Sequence, residues 1–177
     1  WCKICISNWY KNTLGLGVTI LFFLVWFFRV FNLNEIGVLS LVDNFKMYLN
    51  ELNLKKSGIN KGITGSMNII NPKKGIFYTS SILGNNLAVS TGIAMDSKLS
   101  KHNKGVTFVV TGDGAIEEGT FHESLNFAAL HSLPILFVCE NNNFSVYTSL
   151  EKRQSNKRKI SNIAGAHGIK TIVDDGS

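Results

Sequence analysis

Two apolar, β-branched runs separated by one amphipathic stretch constrain this chain more than any other feature. Residues 106–111 and 135–139 are continuous runs of the kind found in strands buried on both faces. Between them, residues 117–131 carry Phe121, Leu125 and Ala128 on one helical stripe. Pro134 closes the connection. A strand, a helix and a strand of these lengths form one right-handed unit of a parallel sheet. A weaker copy follows, with a helix over 160–167 and a strand over 169–173. The fold class predicted is α/β, a parallel sheet with helices on both faces. No fixed-period repeat of the solenoid or propeller kind is present.

The rest of the chain is less regular. Residues 34–54 predict a helix, because Leu41, Phe45, Tyr48, Leu49 and Leu52 recur at three- and four-residue intervals. Residues 55–75 form a polar loop punctuated by Gly58, Gly62 and Gly65. It does not match a P-loop, since no Gly-Lys-Ser/Thr follows at the required offset. Residues 84–99 predict a helix rich in small side chains (Ala88, Ser90, Gly92, Ala94), which suit close approach to a neighbouring element. Residues 12–28 carry no charge, and 18–28 are almost wholly apolar. Three readings stand: a membrane anchor, a buried helix, or a stretch translated in the wrong frame. A spanning helix needs about 20 such residues. The chain divides on this reading into an atypical apolar segment, 1–42, and a partial cofactor-binding domain, 43–177. It begins at Trp1 and stops shortly after an apolar run, as a fragment would.

Charge and cysteine content narrow the class. The net charge is +6, and part of the excess lies in Lys152, Arg153, Lys157, Arg158 and Lys159. Without interleaved aromatics such a run is poorly suited to single-stranded nucleic acid, and it reads as a solvated face. No nucleic acid is expected as a partner, and a membrane is not favoured as one. The cysteines are Cys2, Cys5 and Cys139, an odd count that builds no disulfide framework. Cys2 and Cys5 have CxxC spacing but no second pair to complete a zinc site. Cys139 reads as a buried small residue. A reducing, cytoplasmic setting follows.

Chemistry concentrates at two strand ends. Gly112-Asp113-Gly114 follows the first run, and Glu140-Asn141-Asn142-Asn143 follows the second. In a parallel sheet both lie at the carboxyl edge, where open α/β folds bind ligands. Neighbouring strands are about 4.8 Å apart, so one carboxylate and one amide oxygen can reach a single ion. Magnesium takes hard oxygens and keeps phosphates and water. Glycines beside Asp113 leave phosphate room to approach the backbone and tolerate positive φ. Amides at the next helix start would then face it. Glu117 and Glu118 suit that helix start but repel a bare phosphate, a conflict that a bound cation softens. Each motif alone is ordinary turn chemistry. What joins them is spacing, with 26 residues between Gly114 and Asn141.

That spacing resembles the signature of thiamine-diphosphate enzymes. The wording GDGAIEEGTFHESLNFAALHSLPILFVCENNNFSVYTS, residues 112–149, is similar to the alpha subunit of the 2-oxo acid dehydrogenase first component, of pyruvate, branched-chain or acetoin type. Upstream, NKGITGSMNI (60–69) and LGNNLAVSTGIA (83–94) resemble further segments of that family. The likeness covers roughly residues 43–177.

The resemblance implies a thiamine-diphosphate-binding, Rossmann-like fold and a set of roles. Asp113 and the Asn142 side chain would bind Mg2+, with the Phe144 carbonyl as third protein ligand. Gly114 and Ala115 would contact the diphosphate, and Ser81 and Leu83 would lie near the aminopyrimidine. The expected reaction is decarboxylation of a 2-oxo acid with acyl transfer to lipoamide. The expected partners are a beta subunit and a lipoyl-bearing acyltransferase. In this family the beta subunit supplies the glutamate that activates the cofactor, so the chain alone is expected to be inactive. Two departures stand out. Asn68 replaces the family's usual His, and no tyrosine–arginine pair occurs before Asp43. Two other readings fit parts of the pattern: a transketolase-like N-terminal half acting on sugar phosphates, and a membrane-tethered, non-catalytic cofactor-binding domain. His122 and His131 read as structural, and Glu123 and Asn126 as polar interface groups.

Overall fold

The computed structural model describes residues 3–7 (backbone only), 45–100 and 105–174. They divide into two units: one contains Lys3–Ser7 and the described residues from Leu83 onward, the other the described residues 45–82. The expectations for 12–28 and for Leu41 lie outside the described residues.

The larger unit is built on a parallel sheet of β1 (Lys3–Ser7), β2 (Thr107–Gly112), β3 (Ile135–Glu140) and β6 (Lys170–Asp174), ordered β2-β3-β1-β6. The predicted strand–helix–strand unit is present. Its helix, α3 (Gly119–Leu130), buries Phe121, Ser124, Leu125 and Ala128, the spacing that brings one face of a helix inward. The second copy is present too, as α5 (Ile160–Ala166) leading into β6. The sequence did not predict β1. It pairs with β3 (Cys5 beside Val138) and with β6 (Cys5 beside Ile172), so it fills the gap that α5 crosses over. Cys5 is thus part of a strand.

Helices do not line both faces among the described residues. Helix α2 (Asn85–Leu99), α3 and α5 all contribute to one core, with Leu87, Phe121, Leu125 and Ala164 against Val109, Ile135, Phe137 and Cys139. The alternate strand positions are less covered: Leu136 and Val138 are half-buried and Phe108 is 67% exposed. Strands β2 and β3 are therefore fully buried on one face only, and β6 on neither. Both crossovers step the same way across the sheet, and right-handed connections then place their helices on the same side. Of the small side chains expected to make close approach on α2, Ser90 and Ala94 are buried, together with Thr91 and Ser97, whereas Ala88 and Gly92 are exposed. The Ser90 and Thr91 hydroxyls are satisfied by donating to the carbonyls of Leu87 and Ala88.

The smaller unit combines a small apolar cluster, Tyr48, Ile69 and Ile76 with Leu52 and Ile59 against it, with a buried charge. Helix α1 (Phe45–Leu52) buries Tyr48 and Glu51, while Phe45 and Leu49 are exposed. The Glu51 side chain accepts the N–H groups of Asn60 and Gly62 on Oε2, and the N–H and hydroxyl of Thr64 on Oε1. Gly62 sits at φ +73°, and a Cβ there would lie 2.4 Å from the Leu54 carbonyl carbon. Only glycine fits that approach. No helix among the described residues is long and apolar enough to cross a membrane.

Candidate functional site

The β2–β3 ladder runs one residue past the strands, with the Asp113 N–H donating to the Glu140 carbonyl at 3.2 Å. That rung places Asp113 beside the start of the 141–143 loop. Its residue is 2% exposed. The chain then turns through one 3-10 turn, Ala115–Glu117, and breaks at Glu118, whose backbone is extended (φ −69°, ψ 143°). Only at Gly119 does α3 begin. The single helix expected from Glu117 onward is therefore two pieces, and the amides nearest Asp113 belong to the short turn.

Glycine at 114 has a different reason from the one expected. Its φ is −70°, ordinary for any residue. What excludes a side chain is Ser145: a Cβ on Gly114 would lie 2.5 Å from the Ser145 hydroxyl oxygen. Nothing lies within 4 Å of the equivalent position at Gly112. Ser145 belongs to a hairpin of β4 (Phe144–Ser145) and β5 (Thr148–Ser149), followed directly by the short helix α4 (Leu150–Arg153). Asn143 enters the hairpin at φ 63° and Val146 turns it at φ 55°.

The loop after β3 folds on its own side chains. Asn142 Oδ1 accepts the Phe144 N–H at 2.8 Å, and Asn141 Oδ1 accepts the Asn143 N–H at 3.1 Å. Both are Asx turns. Asp113 and Asn142 are brought together through the backbone, since the Asn142 N–H donates to the Asp113 carboxylate. Ala115 is buried beside them and Phe144 is exposed. Leu83 is exposed on the residue before Gly84, whose carbonyl accepts the Thr120 hydroxyl of α3 at 3.4 Å. Ser81 is an exposed residue of the other unit, as is Asn68.

The partner of Asp113 is Arg153, which the sequence placed in a solvated basic run. The Arg153 side chain is 9% exposed; Nη2 lies 2.5 Å from Asp113 Oδ2 and Nη1 2.5 Å from Glu117 Oε1. Its Nε donates to the Thr148 carbonyl, and the Gln154 amide donates to the same Glu117 oxygen. Lys152, Lys157 and Lys159 are exposed, as a solvated face requires. Arg153 departs from its run because burial beside two carboxylates is compensated by charge-assisted hydrogen bonds. Burial works to raise the Asp113 carboxyl, and outweighs the Arg153 guanidinium and the Asn142 and Asp113 amides, which work to lower it. Neutralising either partner would leave the other charge buried alone. Glu117 is held below the usual carboxylate range: burial opposes this, but Gln154 and Arg153 outweigh it.

Glu140 adds a carboxylate that the sequence left unassigned. Burial pushes its carboxyl up to about 7, and its Oε2 has no hydrogen-bond partner among the described residues. Cys139 is buried as expected, its thiol pushed up to about 12 by burial and by Asp113 and Glu140. His122 packs against His167, ring nitrogens 3.4 Å apart, and His131 tilts against Phe127 at 4.5 Å; both are structural contacts. Glu123 and Asn126 are exposed.

The buried Asp113 carboxylate is a hard oxygen donor, and the Asn142 amide oxygen and the Phe144 carbonyl are further oxygens of the adjoining loop; together they form a set of hard donors. Such a set suits magnesium or a guanidinium. Among the described residues no group of three or more His, Cys, Asp or Glu could hold a metal ion, so a cation at Asp113 would draw its other ligands from amide and carbonyl oxygens or from a bound group. The oxygen donors present fit a magnesium–diphosphate pair.

The chain belongs to the dehydrogenase E1 component family, whose profile matches residues 38–177. It is 37% identical over 122 residues to the alpha subunit of acetoin:2,6-dichlorophenolindophenol oxidoreductase of Bacillus subtilis, covering 69% of this chain and 36% of that protein. The corresponding subunit of Cupriavidus necator is 38% identical over 130 residues, 73% of this chain and 38% of that protein. The alpha subunit of the pyruvate dehydrogenase E1 component of Rickettsia conorii is 34% identical over 132 residues, 74% and 40% respectively. The chain thus spans well under half the length of these relatives.

Proposed function

We propose that this chain forms the magnesium- and diphosphate-binding part of an E1 alpha subunit that decarboxylates a 2-oxo acid with thiamine diphosphate. One observation carries the reading: Asp113, buried at the end of β2, receives the Asn142 N–H from the end of the neighbouring β3. Family membership and the names of the relatives support it. When bound, thiamine diphosphate supplies the carbanion chemistry that releases carbon dioxide.

The residues of this chain bind and orient. Asp113 would contribute the charged ligand to Mg2+. The Asn142 side chain would contribute a neutral oxygen, after giving up its bond to the Phe144 N–H, and the Phe144 carbonyl a third. Gly114 and Ala115 would meet the diphosphate through the backbone, close to the wall that Ser145 forms. Ser81 and Leu83 would lie toward the aminopyrimidine. Asn68, where a His is usual, removes a group able to exchange protons near neutral pH. Acyl transfer to lipoamide would need a lipoyl-bearing partner, and full activity a beta subunit. A ketose-phosphate reaction is the competing chemistry; turnover of a 2-oxo acid but not a ketose phosphate separates the two.

The test is calorimetry with Mg2+ and thiamine diphosphate on the chain assembled with its beta-type partner. Binding heat is expected in the native assembly and its loss in Asp113→Ala. Equal heat in both removes Asp113 from the site.

A further inference from the structure

Arg153 occupies the side of Asp113 on which a cation belongs. Its guanidinium reaches both Asp113 and Glu117 at 2.5 Å, and the short helix carrying it follows directly on the hairpin that walls Gly114. Thr148 and Gln154 complete the clasp, through the Arg153 Nε and the Glu117 carboxylate. A guanidinium on Asp113 Oδ2 sets its positive charge beside any magnesium ion that the same carboxylate takes at about 2.0–2.1 Å, so the two cations compete for Asp113.

We propose that Arg153 is a built-in counter-cation that closes the Asp113 site and is displaced from Asp113 when magnesium and the diphosphate arrive. This rests on the proposed magnesium–diphosphate role of Asp113. Glu117 is the receiving group. It is more exposed than Asp113, with a side chain 25% accessible against 2%. It keeps one end of the guanidinium while the other lets go, so no charge is stranded. The division of labour accounts for a glutamate placed where it would otherwise repel a phosphate. Released from Asp113, α4 and the chain after it are free to shift, which couples cofactor loading to the 143–158 segment.

The experiment titrates Mn2+, in the presence of thiamine diphosphate, into the chain assembled with its beta-type partner and reads free Mn2+ by electron paramagnetic resonance. Native chain, Arg153→Gln, Glu117→Gln and Asp113→Asn are compared. Arg153→Gln is expected to bind Mn2+ about tenfold tighter, the factor equivalent to roughly 1.4 kcal/mol. Glu117→Gln is expected to bind it more weakly, because the guanidinium then rests on Asp113 alone. Trypsin adds an independent readout: cleavage at Lys157 to Lys159 should speed up on Mn2+ addition in the native chain and be insensitive to it in Arg153→Gln. Unchanged or weaker binding in Arg153→Gln overturns the counter-cation role, weaker binding marking the arginine as a ligand of the diphosphate. If Asp113→Asn binds Mn2+ like the native chain, the cation site itself is wrong, a failure distinct from that of the latch.

Discussion

Two carboxylates are buried in this chain to nearly the same degree, Glu51 at 0% and Asp113 at 2% exposure, and they are satisfied in opposite ways. Glu51 is held by donors from Asn60, Gly62 and Thr64, all within 13 residues along the chain and three of the four from the backbone. Asp113 also accepts backbone N–H groups, from Asn142 and itself, but its charge is met by a side chain 40 residues away, on a four-residue helix behind a hairpin. Backbone amides cannot leave without unfolding the loop. A guanidinium can swing out into water. A carboxylate bound by amides is part of the fold, whereas one bound by a mobile cation can exchange its partner.

The largest effect expected from this contrast is at Glu51. Glu51→Ala leaves three part-buried N–H groups without that acceptor, while the Thr64 hydroxyl keeps Asn60 Oδ1 at 3.3 Å. Each unsatisfied donor costs about 1–3 kcal/mol, partly recovered by water, so a loss of about 3–5 kcal/mol is expected in denaturant unfolding. The same bonds hold the Glu51 carboxyl below its ordinary value although burial works to raise it. Its stabilising contribution is therefore present above the unfolded pKa and lost as pH falls through the lower folded one. If Glu51→Ala costs less than about 1 kcal/mol, the amide cradle is not holding the loop and the contrast with Asp113 collapses.

The legibility of these two sites in the sequence differs for the same reason. Strand β2, helix α3 and strand β3 were readable because each announces itself within a dozen residues through its own periodicity. So were the strand-end positions of Asp113 and Asn142. Strand β1 was not, because Lys3–Ser7 is five residues long and gains its partners only from β3 and β6. The ion pair of Arg153 was hidden because charge patterning reports neighbours along the chain, not a carboxylate 40 positions back. Glu51 was masked by the apolar stripe around it, which pointed to Phe45 and Leu49, both exposed in the structure. The break at Glu118 was also unreadable: two glutamates before a helix look like a charged first turn, whichever of them is extended.

Glu140 sharpens the comparison as a third case, a carboxylate with an oxygen that has neither amides nor a cation. Its ordinary pKa is 4.5 and burial pushes it up to about 7. A raised carboxyl pKa means that the folded state favours the protonated form. Stability is then full below the unfolded pKa and declines as pH rises toward the folded one. Glu140→Gln removes that penalty. At pH 8 it should stabilise the chain by about 1–2 kcal/mol, a figure discounted for the water that still reaches the group. At pH 5 the gain should shrink to about a quarter of that or less. Melting temperatures of both proteins across pH 5–8 check this; a constant offset would mean that the carboxylate finds a partner.

The smallest effect concerns the hairpin that holds Ser145 against Gly114. Val146 is the first central residue of its two-residue turn, at φ 55° and 85% exposed. Positive φ there is the province of glycine, and a β-branched residue in that region is strained by about 1–3 kcal/mol. Glycine relieves the strain but costs about 0.5–1 kcal/mol through the freedom of the unfolded chain. Val146→Gly should therefore gain about 1 kcal/mol, read as a higher denaturant midpoint at unchanged slope. Val146→Ala keeps the strained φ and gives up an exposed side chain, so it should be nearly neutral. A stabilised Val146→Gly beside a neutral Val146→Ala locates the strain in the backbone. Loss of stability in Val146→Gly would mean that the valine side chain, not the turn, holds the hairpin. The outcome bears on Asp113 directly. The chain that follows this turn is the one that presents Arg153, so a strained turn keeps that presentation marginal, as an exchangeable partner requires and an amide cradle does not.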